Sequence, residues 1–348
     1  MDFSPLRSYL SNRSAEDDFS GIVRIDHAGQ TVFEEVHGLA SRAWQVPISP
    51  QTRFDCASVT KLFTAVATLQ QIQAGAFSLD TSAIEYLGLE DSNISTAITV
   101  YHLLTHTSGI GDDADEDAGE RYEDLFVDKP NYALRETADC LPNFLHKPPN
   151  FEPGQGCRYC NVSYVLLGLM VEKATGVTYR EYVQVNVFER AGMNRAGFFE
   201  MDGVEPDVAE GISPVKSAGG VTGWRRNIYS YPPVGSPDGG AHVTADDLMA
   251  FHRALVAGQL LEKELTAAML SAKVDEKTED GSLFRKGFAF EFEYVDGELV
   301  SYWKEGINVG ASAILQYFPG QDVTVVVLSN LEDGAWGPIE EAFKAVTA

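Results

Sequence analysis

Ser58 and Lys61 stand three residues apart at the start of the chain's best helical pattern, in Phe54-Asp55-Cys56-Ala57-Ser58-Val59-Thr60-Lys61. Residues at that spacing project from one face of a helix, so the hydroxyl and the amine would lie side by side at the first turn. The chemistry this suits is acyl transfer. A serine hydroxyl is inert at neutral pH until a neighbour takes its proton, and a lysine can do so when burial or nearby cations weaken its own hold on a proton. The helix start contributes a second device. Its first backbone N–H groups have no intrahelical partner, so the amide of Ser58 can donate to the oxyanion formed on an attacked carbonyl. A capping serine followed by a solvated lysine has the same spacing, and only the rest of the chain separates the two readings.

Other residues of chemical interest lie further on. Tyr159 and Asn161, two apart, can both enter a cleft from an extended segment. A buried tyrosine beside an N-cap asparagine fits that spacing equally. Lys304-Glu305-Gly306-Ile307-Asn308-Val309-Gly310 reads as a segment between strands, where glycines let a ligand approach the backbone. His106 and Ser108 lie only two apart and lack a G-x-S-x-G elbow, so they read as a helix-terminating turn. Cys157-Arg158-Tyr159-Cys160 has the C-x-x-C form. With no second pair and no histidine at ligand spacing, it implies no metal site. Cys56, Cys140, Cys157 and Cys160 are expected to be packed thiols in a reducing compartment. The acidic run Asp112-Asp113-Ala114-Asp115-Glu116-Asp117 lacks the EF-hand spacing and reads as a solvated loop.

These residues need elements to hold them. Val59, Leu62, Phe63, Val66, Leu69 and Ile72 recur at helical spacing until Gly75, which predicts a helix buried along a broad stripe and therefore a rigid first turn. Before it, residues 22–25 and 31–33 flank Ala28-Gly29-Gln30 as a hairpin. After Leu79-Asp80, and until about residue 240, the pattern turns to helices and loops, with an apolar helix in 100–110 that a Ser-Gly turn closes and an amphipathic one over 164–171. Thr244-Ala245-Asp246-Asp247 then caps a helix. Four β runs follow, 288–294, 299–303, 311–318 and 323–328, as an antiparallel meander, and a helix over 339–346 can cover the sheet. The predicted fold is α+β, an α/β sandwich whose antiparallel sheet is flanked by helices. Residues 1–80 and 241–348 build it, residues 81–240 form an inserted helical domain, and the site lies in the cleft between them.

Composition narrows the function. The chain has 348 residues, 44% of them hydrophobic, which excludes a disordered protein. Its 51 acidic residues against 26 basic ones give a formal charge of −25, a field that repels nucleic acid and anionic membranes. No stretch reaches the roughly 20 apolar residues of a membrane span. The first residues lack a basic start followed by an apolar run, so the chain reads as cytoplasmic; a mature form trimmed of a signal would look identical.

Ser58-Val59-Thr60-Lys61, Tyr159-Cys160-Asn161 and Lys304-Glu305-Gly306, in that order, resemble the three motifs of the serine β-lactamase and penicillin-binding protein superfamily. The similarity is greatest to its class C-like branch, which includes esterases, D-amino-acid-specific peptidases and amidases. Further blocks agree: Leu103 to Ile110, Phe151-Glu152-Pro153-Gly154, the Gly168 helix with Ala174-Thr175-Gly176, Gly192-Met193, and Gly239-Gly240 before the capped helix. The resemblance covers the chain from about residue 20 onward and implies a β-lactamase/transpeptidase-like fold with no cofactor. It implies that Ser58 becomes acylated while Lys61 and Tyr159 share its proton. The backbone amides of Ser58 and Ile307 would form the oxyanion hole. Asn161 would bond the substrate's acyl-side amide, and Lys304 would attract both a tyrosinate and a substrate carboxylate. The implied substrates are small esters, amides or β-lactams, with an efficient β-lactamase, a D-amino-acid-specific peptidase and a non-hydrolytic penicillin sensor as the alternatives. Where the family usually has threonine or serine in the third motif, this chain has Glu305. If it enters the cleft beside Lys304 and Gly306 it disfavours anionic β-lactams; if strand alternation turns it away it is harmless.

Overall fold

The computed structural model describes residues 1–115, 118–218 and 220–347. Its framework is a sheet of eight antiparallel strands: β1 (Gly21–His27), β2 (Gln30–His37), β3 (Val274–Glu279), β4 (Ser282–Lys286), β5 (Glu291–Val295), β6 (Glu298–Asn308), β7 (Ala311–Phe318) and β8 (Val323–Ser329). They lie in the order β2-β1-β8-β7-β6-β5-β4-β3, so the two ends of the chain meet where β1 pairs with β8. The β1–β2 turn is tight because Ala28 and Gly29 both take positive φ, 48° and 74°, which matches the twist of the flanking strands.

Helices cover both faces. In β8 every residue is buried, and alternation sends Val325 and Val327 one way and Val326 and Leu328 the other. The first pair packs with Leu6 and Leu10 of α1 (Ser4–Ala15) and Ile339 and Ala342 of α6 (Trp336–Thr347). The second shares a core with Leu62, Phe63 and Val66 of α2 (Lys61–Gln73) and Phe251 of α5 (Ala245–Val256). Phe63 meets Phe188 and Phe251 edge-on, with ring centroids 4.9 and 5.0 Å apart. Thr244 caps α5 as expected: its Oγ1 accepts from Asp247 N–H at 3.1 Å while Asp247 accepts from Thr244 N–H. Between α2 and α5 in sequence lie α3 (Val100–Leu104) and α4 (Asn161–Thr175), several short 3-10 turns and a hairpin over 212–226. No helix among the described residues is long and apolar enough to cross a membrane.

Four expectations change. The helix expected to run from Val100 up to a Ser108-Gly109 turn stops earlier, at Leu104, because His106 takes a φ of 59°, which no helix accommodates. The helix expected to be amphipathic, α4, is buried on every side from Asn161 to Gly168 and is a core helix. Residues 304–308 belong to β6 itself, and the turn is Val309-Gly310. Asp112 and Asp113 are buried, not solvated, while Glu116 and Asp117 of the same run lie outside the described residues.

Candidate active site

The nucleophile turn is held by its own polar side chains. Ser58 sits in a 3-10 turn, Ala57–Thr60, directly ahead of α2. In such a turn residues i and i+3 eclipse, so Ser58 still stands over Lys61 although the first α turn begins a residue later. Ala57 takes a positive φ of 44°, a conformation that costs a non-glycine residue about 1–3 kcal/mol. Asp55 Oδ1 accepts from Ala57 N–H at 2.7 Å. Thr60 Oγ1 donates to Ala57 O at 2.7 Å and accepts from Ala241 N–H at 3.0 Å. Lys61 is fully buried. Its Nζ donates to Ser58 Oγ at 3.1 Å, Asn161 Oδ1 at 2.8 Å and the Asp238 carbonyl at 2.6 Å.

Asn161 reaches Lys61 because α4 begins there. The residue ahead of the helix, Cys160, makes no side-chain cap. Asp112 supplies one from 49 residues earlier, accepting from the N–H groups of Asn161 at 2.7 Å and Val162 at 3.0 Å. Burial pushes the Asp112 carboxyl up to about 6 against those hydrogen bonds, and pushes its neighbour Asp113 well above the usual range, with Asp112 and Asp238 adding to the shift. Asp238 is placed from α2 and α4 together. Pro237 O accepts from Thr64 Oγ1 at 2.5 Å, and a side chain at Gly168 would meet the Pro237 ring at 2.1 Å.

Tyr159 lies between two ammonium groups, Lys61 Nζ 4.9 Å and Lys304 Nζ 4.8 Å from its ring centroid. The His106 ring stacks on it at 4.6 Å. That imidazole is held neutral: burial, then Lys304, Lys286 and Lys61, push its pKa well below the usual value. Its Nδ1 accepts from Cys160 N–H at 3.1 Å, which leaves the ring proton on Nε2. The positive φ at His106 thus turns its ring under Tyr159. Ser108, the other residue of that motif, is buried with its Oγ 3.0 Å from Ser163 Oγ.

Strand β6 forms the opposite wall. Its pairing with β5 ends at Glu291↔Trp303, whereas pairing with β7 continues to Asn308↔Ala311. Residues 304–308 therefore present one backbone edge to the cleft. A Cβ at Gly306 would stand 2.4 Å from Cys56 O and 2.7 Å from Ser58 N. The glycine therefore lets the strand reach the nucleophile turn, and it brings the stretch carrying the Ile307 amide beside that of Ser58. Lys304 is opposite Leu315 and Glu305 opposite Ile314. Residues opposite each other in an antiparallel pair share a face, and Leu315 and Ile314 belong to the two different cores. Lys304 faces the cleft. Glu305 starts on the α6 face, at a rim it shares with Trp303, Ile339 and Phe343, yet it also borders the cleft, where burial and then Glu291 raise its carboxyl against the pull of Lys304 and Lys286.

Lys304 does not stand alone. Its Nζ donates to Glu291 Oε1 at 3.0 Å, Lys286 donates to the other oxygen of Glu291 at 2.7 Å, and Lys286 also pairs with Glu276 at 3.2 Å. Glu291, Lys286 and Asp238 carry no signal in the sequence, and Asp112 reads there as part of a solvated loop. They are joined to the motifs only by strand register and by a cap between distant segments. The four cysteines are free thiols, and burial pushes Cys157 up to about 11 and Cys56, Cys140 and Cys160 higher still. Ser58, Tyr159, Asn161, Asp238, Lys304 and Gly306 all line one cleft of about 510 Å³, within the range of small-molecule sites.

Comparison with known proteins bears on the fold. A family model described as Beta-lactamase matches residues 6–345. The crystal structure of a penicillin binding protein from Bacillus halodurans is 36% identical, with a TM-score of 0.88 over 97% of this chain and 99% of that one. Esterase EstB from Burkholderia gladioli is 34% identical over 179 residues, 49% of this chain and 44% of that protein. Penicillin-binding protein 4* from Bacillus subtilis (strain 168) is 23% identical over 94% of this chain and 72% of its own length.

Proposed function

The chain belongs to the Beta-lactamase family, and on that premise we propose that it is a serine hydrolase that cleaves carboxylic esters or small amides through an acyl-enzyme on Ser58. The observation that carries this reading is the buried Lys61 Nζ, 3.1 Å from Ser58 Oγ and anchored on Asn161 and Asp238. Ser58 Oγ attacks the substrate carbonyl, and its proton passes into the Lys61 and Tyr159 couple, which titrates as a unit. The N–H groups of Ser58 and Ile307 receive the oxyanion. The couple returns the proton to the leaving alcohol or amine. Water then adds to the acyl carbonyl, and the acid departs as Ser58 regains its hydrogen. Because Asn161 spends its Oδ1 on Lys61, its Nδ2 is the group left to bond the acyl side of a substrate.

In this reading residues 1–80 with 241–348, and residues 81–240, are the two units on either side of the cleft. The ester preference is supported by the similarity to an esterase, the amide option by the same acyl chemistry. The test is a panel of p-nitrophenyl acetate and butyrate, nitrocefin and a D-aminoacyl anilide. Sustained ester hydrolysis that Ser58→Ala abolishes is the expected result. A single acylation burst without turnover would favour a penicillin sensor instead, and a dominant nitrocefin rate a β-lactamase.

A further inference from the structure

The sheet side of the cleft carries three lysines, Lys277, Lys286 and Lys304, and each has a carboxylate partner. Lys277 pairs with Glu279 at 2.7 Å near the surface. The other two are almost wholly buried, and Glu291 lies between them, one oxygen on each. With Glu276 on the far side of Lys286 the chain reads Lys304, Glu291, Lys286, Glu276, two positive charges against two negative. A lysine taken out of water keeps its charge when it is paired, and here the pairing is internal. Burial alone would raise the Glu291 carboxyl; Lys304 and Lys286 outweigh it and hold the group at about 2, so the bridge stays ionised throughout the neutral range.

We propose that Glu291 sets the charge preference of the cleft: by occupying Lys304 and Lys286 it cancels the positive field at that end, and the site selects substrates without a carboxylate. This inference rests on the hydrolase reading above and assigns the selectivity to a residue outside the three motifs. A substrate carboxylate arriving at Lys304 meets a second carboxylate already 3.0 Å from the same nitrogen, and the two anions repel. A neutral ester meets no such opposition. Glu291 is a positioning residue in this account, acting through Lys304, and Glu305, which borders the same cleft, adds a further negative charge at its rim.

The test compares 3-acetoxybenzoate with its neutral isostere 3-acetoxybenzamide, as the ratio of kcat/KM for the anionic to the neutral ester. Glu291→Gln keeps the shape of the side chain and removes its charge; it is expected to raise the ratio about tenfold, mainly through a lower KM for the anion. Glu276→Gln, at the solvent end of the chain of charges, is expected to raise it by about threefold in the same direction. A folded Glu291→Gln protein in which both esters change equally would show a merely structural role and overturn the proposal. Should that variant fail to fold, an unmoved ratio in Glu276→Gln overturns it as well. A wild-type protein that prefers the anion contradicts this inference alone, whereas one that hydrolyses neither ester overturns the functional reading together with it.

Discussion

Lys61 is fully out of water with three acceptors within 3.1 Å, one of them the Ser58 hydroxyl that the proposed mechanism has it activate. Replacing it by alanine, or Tyr159 by phenylalanine, is expected to lower kcat by roughly a hundredfold or more, since each change removes part of the proton relay. Steady-state rates close to wild type in either variant would show that the relay is wrongly placed. Glu305→Thr is expected to shift the preference between charged and neutral esters less than Glu291→Gln does, because its register sets it on the face of Ile314 and it only borders the cleft; a shift of tenfold or more would place its carboxylate inside the cleft. The Ser58 and Lys61 pair was legible because both an α and a 3-10 turn bring residues three apart together. Glu291 was not legible. Its partners lie 13 and 5 residues away on other strands, and a bulge between Glu293 and Tyr294 shifts the register that unites them. Asp112 was misread for a related reason: an acidic run looks solvated until one of its members is needed as the cap of a distant helix.

Elements with a strong apolar period were readable, and those without were not. Strand β7 falls on the expected residues, and α2 ends where Gly75 predicts, because burial imposes the period directly on the sequence. Strand β3 leaves five of its six residues exposed, and α1 buries only Leu6 and Leu10, so neither shows alternation or a stripe to detect. The contact of β6 with the nucleophile turn is an element-scale feature with a single-residue lever. Gly306→Ala would drive a methyl group into backbone atoms of Cys56 and Ser58, and the strand must withdraw. The expected outcome is a loss of about 1–3 kcal/mol in stability by thermal unfolding. A fall in kcat of at least tenfold should accompany it, since the two proposed oxyanion donors, Ser58 N–H and Ile307 N–H, separate. Wild-type kcat in the variant would show that β6 and the turn need not meet so closely.

Across the whole molecule, the −25 charge and the buried carboxylates make stability depend on pH in two opposite ways. Asp112 and Asp113 have raised values in the fold, so the stability they contribute is complete below the ordinary carboxylate range, and is lost as pH climbs through about 6 for Asp112 and further for Asp113. Glu291 is depressed to about 2, so its contribution is present above the ordinary range and lost as pH falls toward that value. The melting temperature is therefore expected to decline as pH rises from about 5 through 6 and above, and Asp113→Asn, which retains the oxygen that accepts from Ala114 N–H, is expected to flatten the decline. An unchanged slope in that variant would assign the loss to the surface charge instead. The central claim concerns a covalent bond, and mass spectrometry of protein quenched during hydrolysis of p-nitrophenyl butyrate tests it most directly. The account predicts a butyryl adduct on the peptide that contains Ser58 and its absence in Ser58→Ala. An adduct on Ser108 or on a cysteine, or full turnover by Ser58→Ala, would contradict it.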